Sequence, residues 1–314
     1  MPWDDPNQNN NEAASFYRRI WQLSGRSQVT LIGLSIIVSA LAAAPLHFQK
    51  ELVNGLTYGI SFSAVLLLGA QYASAIVVTI LVKGLLKYRS AMLGESIVRR
   101  IRRRIYTAYA EHRASGAPPK LAPGTLVSML TGEADKVGHF VGDAFAGPLV
   151  QIGTLLSVLL YIGAGEPILG LFILAVIAPQ FFIIVAIQKP INRVVRTNLE
   201  LLRAGGDLAV SAVGIEQDDE VLATFEGVYE AKKRFHLLKL SMKSALNACT
   251  AFGTVGTLVL GGWLVINGDT DVGTVVAALS GLTRLARPWN DLVAFYRSLN
   301  SVRVRFKFLE ETMA

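Results

Sequence analysis

Five long uncharged runs constrain the fold of this chain more than any other feature of its sequence. They are Val29–Leu46, Ile60–Val82, Ala144–Gly165, Pro167–Gln188 and Ala245–Gly268. A helix needs about 20 predominantly apolar residues to cross the hydrocarbon core of a bilayer. Charged residues make up only 17% of the chain, whereas soluble domains carry about 25%. Each run therefore predicts a membrane-spanning helix, and the predicted fold class is an all-α integral membrane protein.

A sixth apolar run, Val272–Thr283, is short because Arg284 interrupts it. The positions of the basic residues indicate whether it crosses the membrane. If the N-terminus is cytoplasmic and all six runs cross, Lys50 is the only one of the 30 Lys and Arg residues that falls in an outer loop. Basic residues are retained on the cytoplasmic side of membranes. The sequence therefore predicts six spans with both termini in the cytoplasm.

The boundaries of the predicted segments follow from these runs. Residues 1–14 are polar and are predicted to form a disordered tail. Residues 15–28 mix aromatic residues with arginines, which favours an amphipathic helix at the membrane surface, here named the elbow helix. The remaining residues, 29–314, form the transmembrane domain. Its six spans are predicted at about 29–49, 60–86, 144–165, 167–188, 245–268 and 272–293.

The loops on the two sides of the membrane differ greatly in predicted length. The outer loops are short, the first covering roughly His47–Gly59, whereas the inner segments Lys87–Asp143 and Lys189–Ser244 are long. Ile97, Ile101 and Ile105 recur at helical spacing in the first inner segment, as one buried face of a helix would. The sequence thus predicts two long helical hairpins that extend from the membrane into the cytosol.

A run of arginines between Arg99 and Arg104 raises the question of nucleic-acid binding. Five of these six residues are arginines. No recognisable nucleic-acid-binding fold surrounds them, and they lie within the first predicted hairpin. We interpret the run as a marker of the cytoplasmic side and predict no nucleic-acid partner.

The segment Gly124–Val137, GTLVSMLTGEADKV, resembles the start of the third helix in the transmembrane domain of ABC exporters, which is usually written like GELLSRLTNDVEKV. The matching positions are Gly124, Leu126, Ser128, Leu130, Thr131, Lys136 and Val137. Met129 stands where the family commonly has Arg, and Glu133 stands where it has Asp. This departure weakens any claim of a salt bridge carried by that pair.

The end of the chain also resembles that family. Gly273, the Arg287–Pro288 pair and Arg305 follow the usual spacing of its sixth helix. The resemblance covers about residues 15–311. It implies a membrane-spanning permease subunit of an ATP-driven exporter, with coupling helices at the tips of its two cytosolic hairpins. It further implies a homodimer or heterodimer in the plasma (inner) membrane of a bacterium.

In that family an ATPase domain commonly follows the last helix, but this chain contains no phosphate-binding loop G-x-x-x-x-G-K-[ST]. The chain is therefore predicted to have no enzymatic activity, cofactor or metal site of its own. ATP and Mg²⁺ would be bound by a separately encoded ABC ATPase subunit. The four histidines and the single Cys249 are scattered, which gives no metal-binding pattern.

Two groups of candidate functional residues follow. The predicted coupling residues lie near the hairpin tips: Ala117, Pro118, Pro119, Leu121, Glu216, Asp218, Asp219, Glu220 and Phe225. The acidic members would dock basic ATPase residues, or would simply form a solvated helix end. Arg284, Arg287 and Asp291 are candidates for the substrate cavity, because ionisable groups at membrane depth are costly. The alternative is that both arginines extend to the inner headgroups.

Two other functions stay open at this point. Some membrane domains of similar architecture act without an ATPase as proton-driven peptide transporters. Proton coupling would need carboxylates inside the spans, and the five long runs contain none. The third possibility is a non-transporting membrane scaffold that recruits cytosolic proteins through its hairpins.

Overall fold

The computed structural model describes residues 6–115, 123–211 and 215–313, and within these ranges the ordered elements are all helices. In chain order they are α1 (Pro6–Ala40), α2 (Ala44–Tyr58), α3 (Phe62–Ala114), α4 (Pro123–Ser128), a π-helical turn (Met129–Glu133), α5 (Ala134–Asp143), α6 (Ala146–Gly165), α7 (Pro167–Ser211), α8 (Ile215–Ile266) and α9 (Val272–Met313). The predicted all-α class is confirmed for the described residues.

Five helical stretches in the described ranges are long and apolar enough to cross a membrane. They are Phe16–Tyr58, Phe62–Ala114, Leu126–Gly165, Pro167–Leu202 and Val221–Ile266. Each contains all or nearly all of one of the five uncharged runs, so the chain is a multi-pass membrane protein. Helix α9 is not among the five, because arginines follow soon after its apolar start. The sixth span stays a prediction.

Tight turns gather at one end of the helix bundle, here named the short-turn end. Helix α2 stops at Gly59, which has a left-handed φ of 75° and donates its backbone N–H to the carbonyl of Gly55. Ser61 then caps the start of α3 by accepting a hydrogen bond from the N–H of Ala64. Gly268, with a φ of 79°, lies in the turn between α8 and α9. Glycine suits both left-handed positions because it has no Cβ to clash.

The core at the short-turn end joins α2, α6, α7, α8 and α9. Its buried members come from all five helices: Leu46, Leu155, Val158, Ile162, Leu169, Ile173, Ile177, Leu264, Val275, Ala277, Ala278, Leu282 and Leu285. The start of α9 is therefore packed among helices that are themselves candidate spans.

The core at the opposite end, here named the hairpin end, joins α1, α3, the segment from α4 to α5, and α9. It buries Phe16, Ile20, Ile97, Ile105, Met129, Val137, Phe140, Val141, Ala144, Val302 and Leu309. Ile101 packs against it while half-buried. The predicted inward face of isoleucines on α3 is thus confirmed, and the arginines between them remain exposed.

Helices α3 and α5 approach each other closely through three glycines. A Cβ added to Gly94 would lie 3.2 Å from the carbonyl oxygen of Gly138, and one added to Gly142 would collide with the carbonyl oxygen of Ser90. Gly138 and Gly142 are one helical turn apart, so they present a single smooth face to α3. Small residues at such an interface let two helix backbones come into contact.

The first part of the described chain, residues 6–58, is more helical than the sequence suggests. Helix α1 begins at Pro6 and continues without interruption to Ala40. It therefore covers most of the predicted disordered tail and the elbow segment. Helix α2 occupies most of the predicted first outer loop, because its apolar residues, including Leu46, pack into the short-turn core.

Candidate functional site

A cavity of about 1020 Å³ lies between α3, α5, α6 and α9. Its polar lining includes Lys87, Lys136, His139, Asp143, Arg287 and Asp291, and apolar residues such as Phe140 and Phe295 complete the wall. The structure thus places two of the three candidate cavity residues, Arg287 and Asp291, at one cavity. Arg284 lies one turn earlier on α9 and is exposed.

Arg287 and Asp291 contact each other along α9. The Nε of Arg287 lies 3.9 Å from Oδ2 of Asp291, and the Arg287 side chain is 87% exposed. An exposed ion pair at this distance contributes little to stability. Both side chains therefore remain available to interact with a molecule in the cavity.

A second pair of basic residues, on α3, faces Arg284 and Arg287. Lys83 lies close enough to Arg284, Arg287 and Lys87 for all three charges to act on it electrostatically. Sequence reasoning did not select Lys83 or Lys87. Their spacing could have identified them, because residues three or four apart lie on the same face of a helix. Lys83 and Lys87 are four residues apart, and Arg284 and Arg287 are three apart.

Asp143 is the carboxylate that faces these cations across the cavity. It is the last residue of α5, and its side chain packs against Gly147, where an added Cβ would lie 2.6 Å from Oδ2 of Asp143. The charges of Lys87 and Asp291 both act on it electrostatically. The cavity therefore contains charges of both signs on three different helices.

The π-helical turn between α4 and α5 is anchored by two arginines. The Nη1 of Arg305 lies 2.6 Å from Oε2 of Glu133, which connects the turn to α9. Arg102 donates from Nε to the carbonyl of Leu130 at 2.7 Å and from Nη2 to Asp135 at 2.7 Å. A π-helical turn disturbs the regular backbone hydrogen bonding of a helix, so an external donor stabilises it. Glu133 thus forms a salt bridge with Arg305, a residue far away in sequence, and not with position 129.

The arginine run has a structural role in addition to its charge. Arg102 holds the π-helical turn, and Arg100 donates from Nη1 to the carbonyl of Leu23 at 3.3 Å, which connects α3 to α1. The elbow segment is fixed by its aromatic face as well. Phe16 contacts the rings of Phe140 and Phe306, so this face packs on protein.

A polar cluster at the short-turn end, here named the Asp271 clamp, connects α2 to α9. Oδ1 of Asp271 accepts hydrogen bonds from Asn54 Nδ2 at 2.8 Å and from the backbone N–H of Thr274 at 2.7 Å. Oδ2 lies 3.3 Å from Nζ of Lys50. Asn54 in turn accepts from the N–H of Gly273 at 2.7 Å.

The clamp shifts the ionisation of Asp271. Partial burial acts to raise the pKa of this carboxyl group, but the hydrogen bonds from Asn54 and Thr274 and the charge of Lys50 outweigh it and hold the pKa below its ordinary value. The folded structure therefore favours the carboxylate form. Lys50, the single predicted outer basic residue, has a structural partner here.

The predicted coupling residues are only partly covered by the structure. Ala117, Pro118, Pro119 and Leu121 lie outside the described residues, as do the side chains of Glu216, Asp218 and Glu220 at the start of α8. Asp219 is exposed near the start of α8. Phe225 lies further along α8, where a Cβ added to Gly205 of α7 would be 3.2 Å from its ring. Phe225 therefore contacts α7, and its coupling role stays a prediction.

The long apolar helices define a polytopic helical membrane protein whose bundle encloses a charged cavity. A family model described as the ABC transporter transmembrane region matches residues 29–204, which is more than half of the chain. The chain belongs to this family, whose domain serves transport and not catalysis. The 314 residues give no match to an ATPase domain. None of the curated proteins compared with the chain gives a significant match.

Proposed function

We propose that this chain is the permease subunit of an ATP-driven ABC exporter, which dimerises and couples to a separately encoded ATPase subunit. The observation that carries the proposal is the family match over residues 29–204 in a chain whose helices α3, α7 and α8 contain 53, 45 and 52 residues. A bilayer crossing needs only about 20 residues. The excess length is suited to contact with a partner outside the membrane.

The packing of α9 supports a sixth span. Val275, Ala278, Leu282 and Leu285 are buried in the short-turn core among candidate spans. Arg284 then lies on the exposed side of the same segment. With six crossings both termini are on one side of the membrane, and the positive-inside rule assigns that side to the cytoplasm. The membrane that we propose, from the family resemblance, is the inner membrane of a bacterium.

The hairpin formed by α7 and α8 supports dimerisation. Its buried residues toward the hairpin end include Ile191, Val228 and Ala231. None of the described buried members of the hairpin-end core comes from α7 or α8. This part of α7 and α8 therefore packs mainly on itself. Large apolar side chains remain exposed there: Val195, Leu202, Leu222, Phe225, Tyr229, Leu237 and Leu240. Exposed apolar surface of this kind marks contact sites, and a second membrane subunit, identical or related, would cover it.

The tips of the two hairpins are the proposed coupling sites. They include Ala117 to Leu121 and the acidic residues at the start of α8. In this arrangement, closure of the ATPase subunits moves the hairpins and switches the cavity that contains Arg287 and Asp291 between the two sides of the membrane. This is the alternating-access principle of transporters.

The experiment is to purify the chain from its native membrane and measure ATP hydrolysis by whatever copurifies. An ABC ATPase in stoichiometric amount, whose activity depends on the complex, is the expected result. If no ATPase is present and transport stops when the proton gradient is removed, the chain is instead a proton-driven transporter. If neither nucleotide nor gradient drives transport, it is a scaffold.

Charge reversal tests the coupling site separately. We expect Asp219→Lys to lower transport-linked ATP hydrolysis several-fold, because the introduced lysine would repel the basic residues of the ATPase. Glu226→Lys is the matched control, since Glu226 is also exposed on α8 but lies about two turns further from the tip. If both variants behave like the wild-type protein, the acidic residues are only a solvated helix end.

A further inference from the structure

Four basic side chains converge between α3 and α9 at the edge of the large cavity. Lys83 and Lys87 are one turn apart on α3, and Arg284 and Arg287 are one turn apart on α9. Lys87 and Arg287 both line the cavity, and Lys83 interacts electrostatically with the other three. We name these four residues the basic cluster.

The basic cluster is not neutralised by the described part of the chain. Arg287 has Asp291 at 3.9 Å, and Lys87 has Asp143 within electrostatic range. Lys83 and Arg284 form no hydrogen bond or ion pair with the residues that the structure describes. Two carboxylates offset only part of the charge of four cations, so the cations repel one another. An anion bound between α3 and α9 would reduce this repulsion.

The surroundings of the basic cluster indicate what kind of anion fits. The apolar part of α3 that precedes it is almost entirely unburied, since only 6% of its most apolar 18-residue stretch is buried inside the protein. Ile80 and Leu81, within three residues of Lys83, are 62% and 65% exposed. A ligand with an anionic head and an apolar chain would bind both surfaces at once, with its head in the cavity mouth and its chain along α3.

We infer that the basic cluster binds the phosphate-bearing head of an amphiphile, which enters the cavity from the inner leaflet between α3 and α9. Phosphate carries enough charge to interact with several cations, and arginines bind it through two parallel hydrogen bonds. This inference rests on the proposed transport function, because it names the class of cargo for the same cavity.

The test measures binding to the purified complex in neutral detergent by calorimetry. The probes are dioctanoyl phosphatidic acid, dioctanoylglycerol, which lacks the phosphate, and inorganic phosphate. We expect the first to bind and the second not to bind. The variant with Lys83→Gln and Arg284→Gln should bind phosphatidic acid at least about tenfold more weakly, since each lost hydrogen bond to a charged group has an effect of this order.

The matched control carries Lys189→Gln and Arg193→Gln. These residues are also basic, exposed and one turn apart, but they lie on α7 outside the basic cluster. Phosphatidic acid should bind this control within about twofold of the wild-type protein. Equal weakening in both variants, or in neither, would show general lipid contact and overturn the inference. If inorganic phosphate binds as tightly as phosphatidic acid, the apolar chain contributes nothing, and the inference that the ligand is an amphiphile is overturned.

Two further readouts are needed. One distinguishes a transported lipid from a resident lipid, and the other distinguishes failure of this inference from failure of the proposed function. Stimulation of ATP hydrolysis by phosphatidic acid would identify a cargo, whereas binding without stimulation would identify a resident lipid and overturn the cargo assignment. If the ATPase copurifies but phosphatidic acid does not bind, only the basic cluster inference fails. If phosphatidic acid binds with the predicted dependence on Lys83 and Arg284 but no ATPase is present, the proposed function fails.

Discussion

Removal of the Asp271 carboxylate should loosen the short-turn end measurably. Asp271→Ala deletes the cap of α9, which contributes about 1 kcal/mol, and a hydrogen bond from Asn54, which contributes about 1 kcal/mol more. The ion pair with Lys50 adds less than about 1 kcal/mol, because both side chains are partly exposed. We therefore expect the free energy of unfolding to fall by about 2–3 kcal/mol.

Two other substitutions separate these contributions. Asp271→Asn keeps a good helix cap but removes the attraction to Lys50, so it should cost less than about 1 kcal/mol. Asp269→Ala is the matched control, because Asp269 lies exposed in the same turn, and it should leave the stability unchanged. The assay is equilibrium unfolding in mild detergent, followed by circular dichroism. A loss in Asp271→Ala no larger than in Asp269→Ala would refute the clamp.

Three shorter predictions concern pH, helix packing and the π-helical turn. The folded protein holds the pKa of Asp271 below its ordinary value of 3.8. The charge of Asp271 therefore stabilises the folded state fully above pH 3.8, and this contribution is lost as the pH falls through the lower folded pKa. In unfolding measurements at decreasing pH, the free energy of unfolding of the wild-type protein should approach that of Asp271→Asn. Gly142→Ala should cost about 1–3 kcal/mol, measured by unfolding, whereas Gly69→Ala, with open space around it, should not destabilise. Glu133→Gln should lower the free energy of unfolding more than Asp135→Asn does. The side chains of the Glu133–Arg305 ion pair are 21–28% exposed, whereas those of the Asp135–Arg102 pair are 40–45% exposed. Equal losses of stability would contradict this ranking.

The membrane class and the main helices could be predicted because they depend on local composition. All or nearly all of each uncharged run lies in a candidate span, since a helix satisfies its own backbone hydrogen-bonding groups in a bilayer. The inward face of Ile97 and Ile105 also follows from periodicity alone. Helix α2 could not be predicted in this way, because its helical state depends on packing against α9.

The cavity and its charges could be predicted only in part. Arg287 and Asp291 were selected because charges near a span are unusual, but Lys83, Lys87 and their position opposite α9 depend on contacts between residues about 200 positions apart. The same holds for the salt bridge of Glu133, whose partner is 172 positions away. A local pattern contains no information about which distant helix will lie beside it.

Native mass spectrometry of the complex purified from its own membrane tests the central claim most directly. The account predicts two membrane subunits, either two copies of this chain or one copy with a related chain, bound to two ABC ATPase subunits. Addition of Mg²⁺ and ATP should change the nucleotide content of the ATPase subunits and not of this chain. A complex that contains this chain alone, with transport or binding activity intact, would contradict the account.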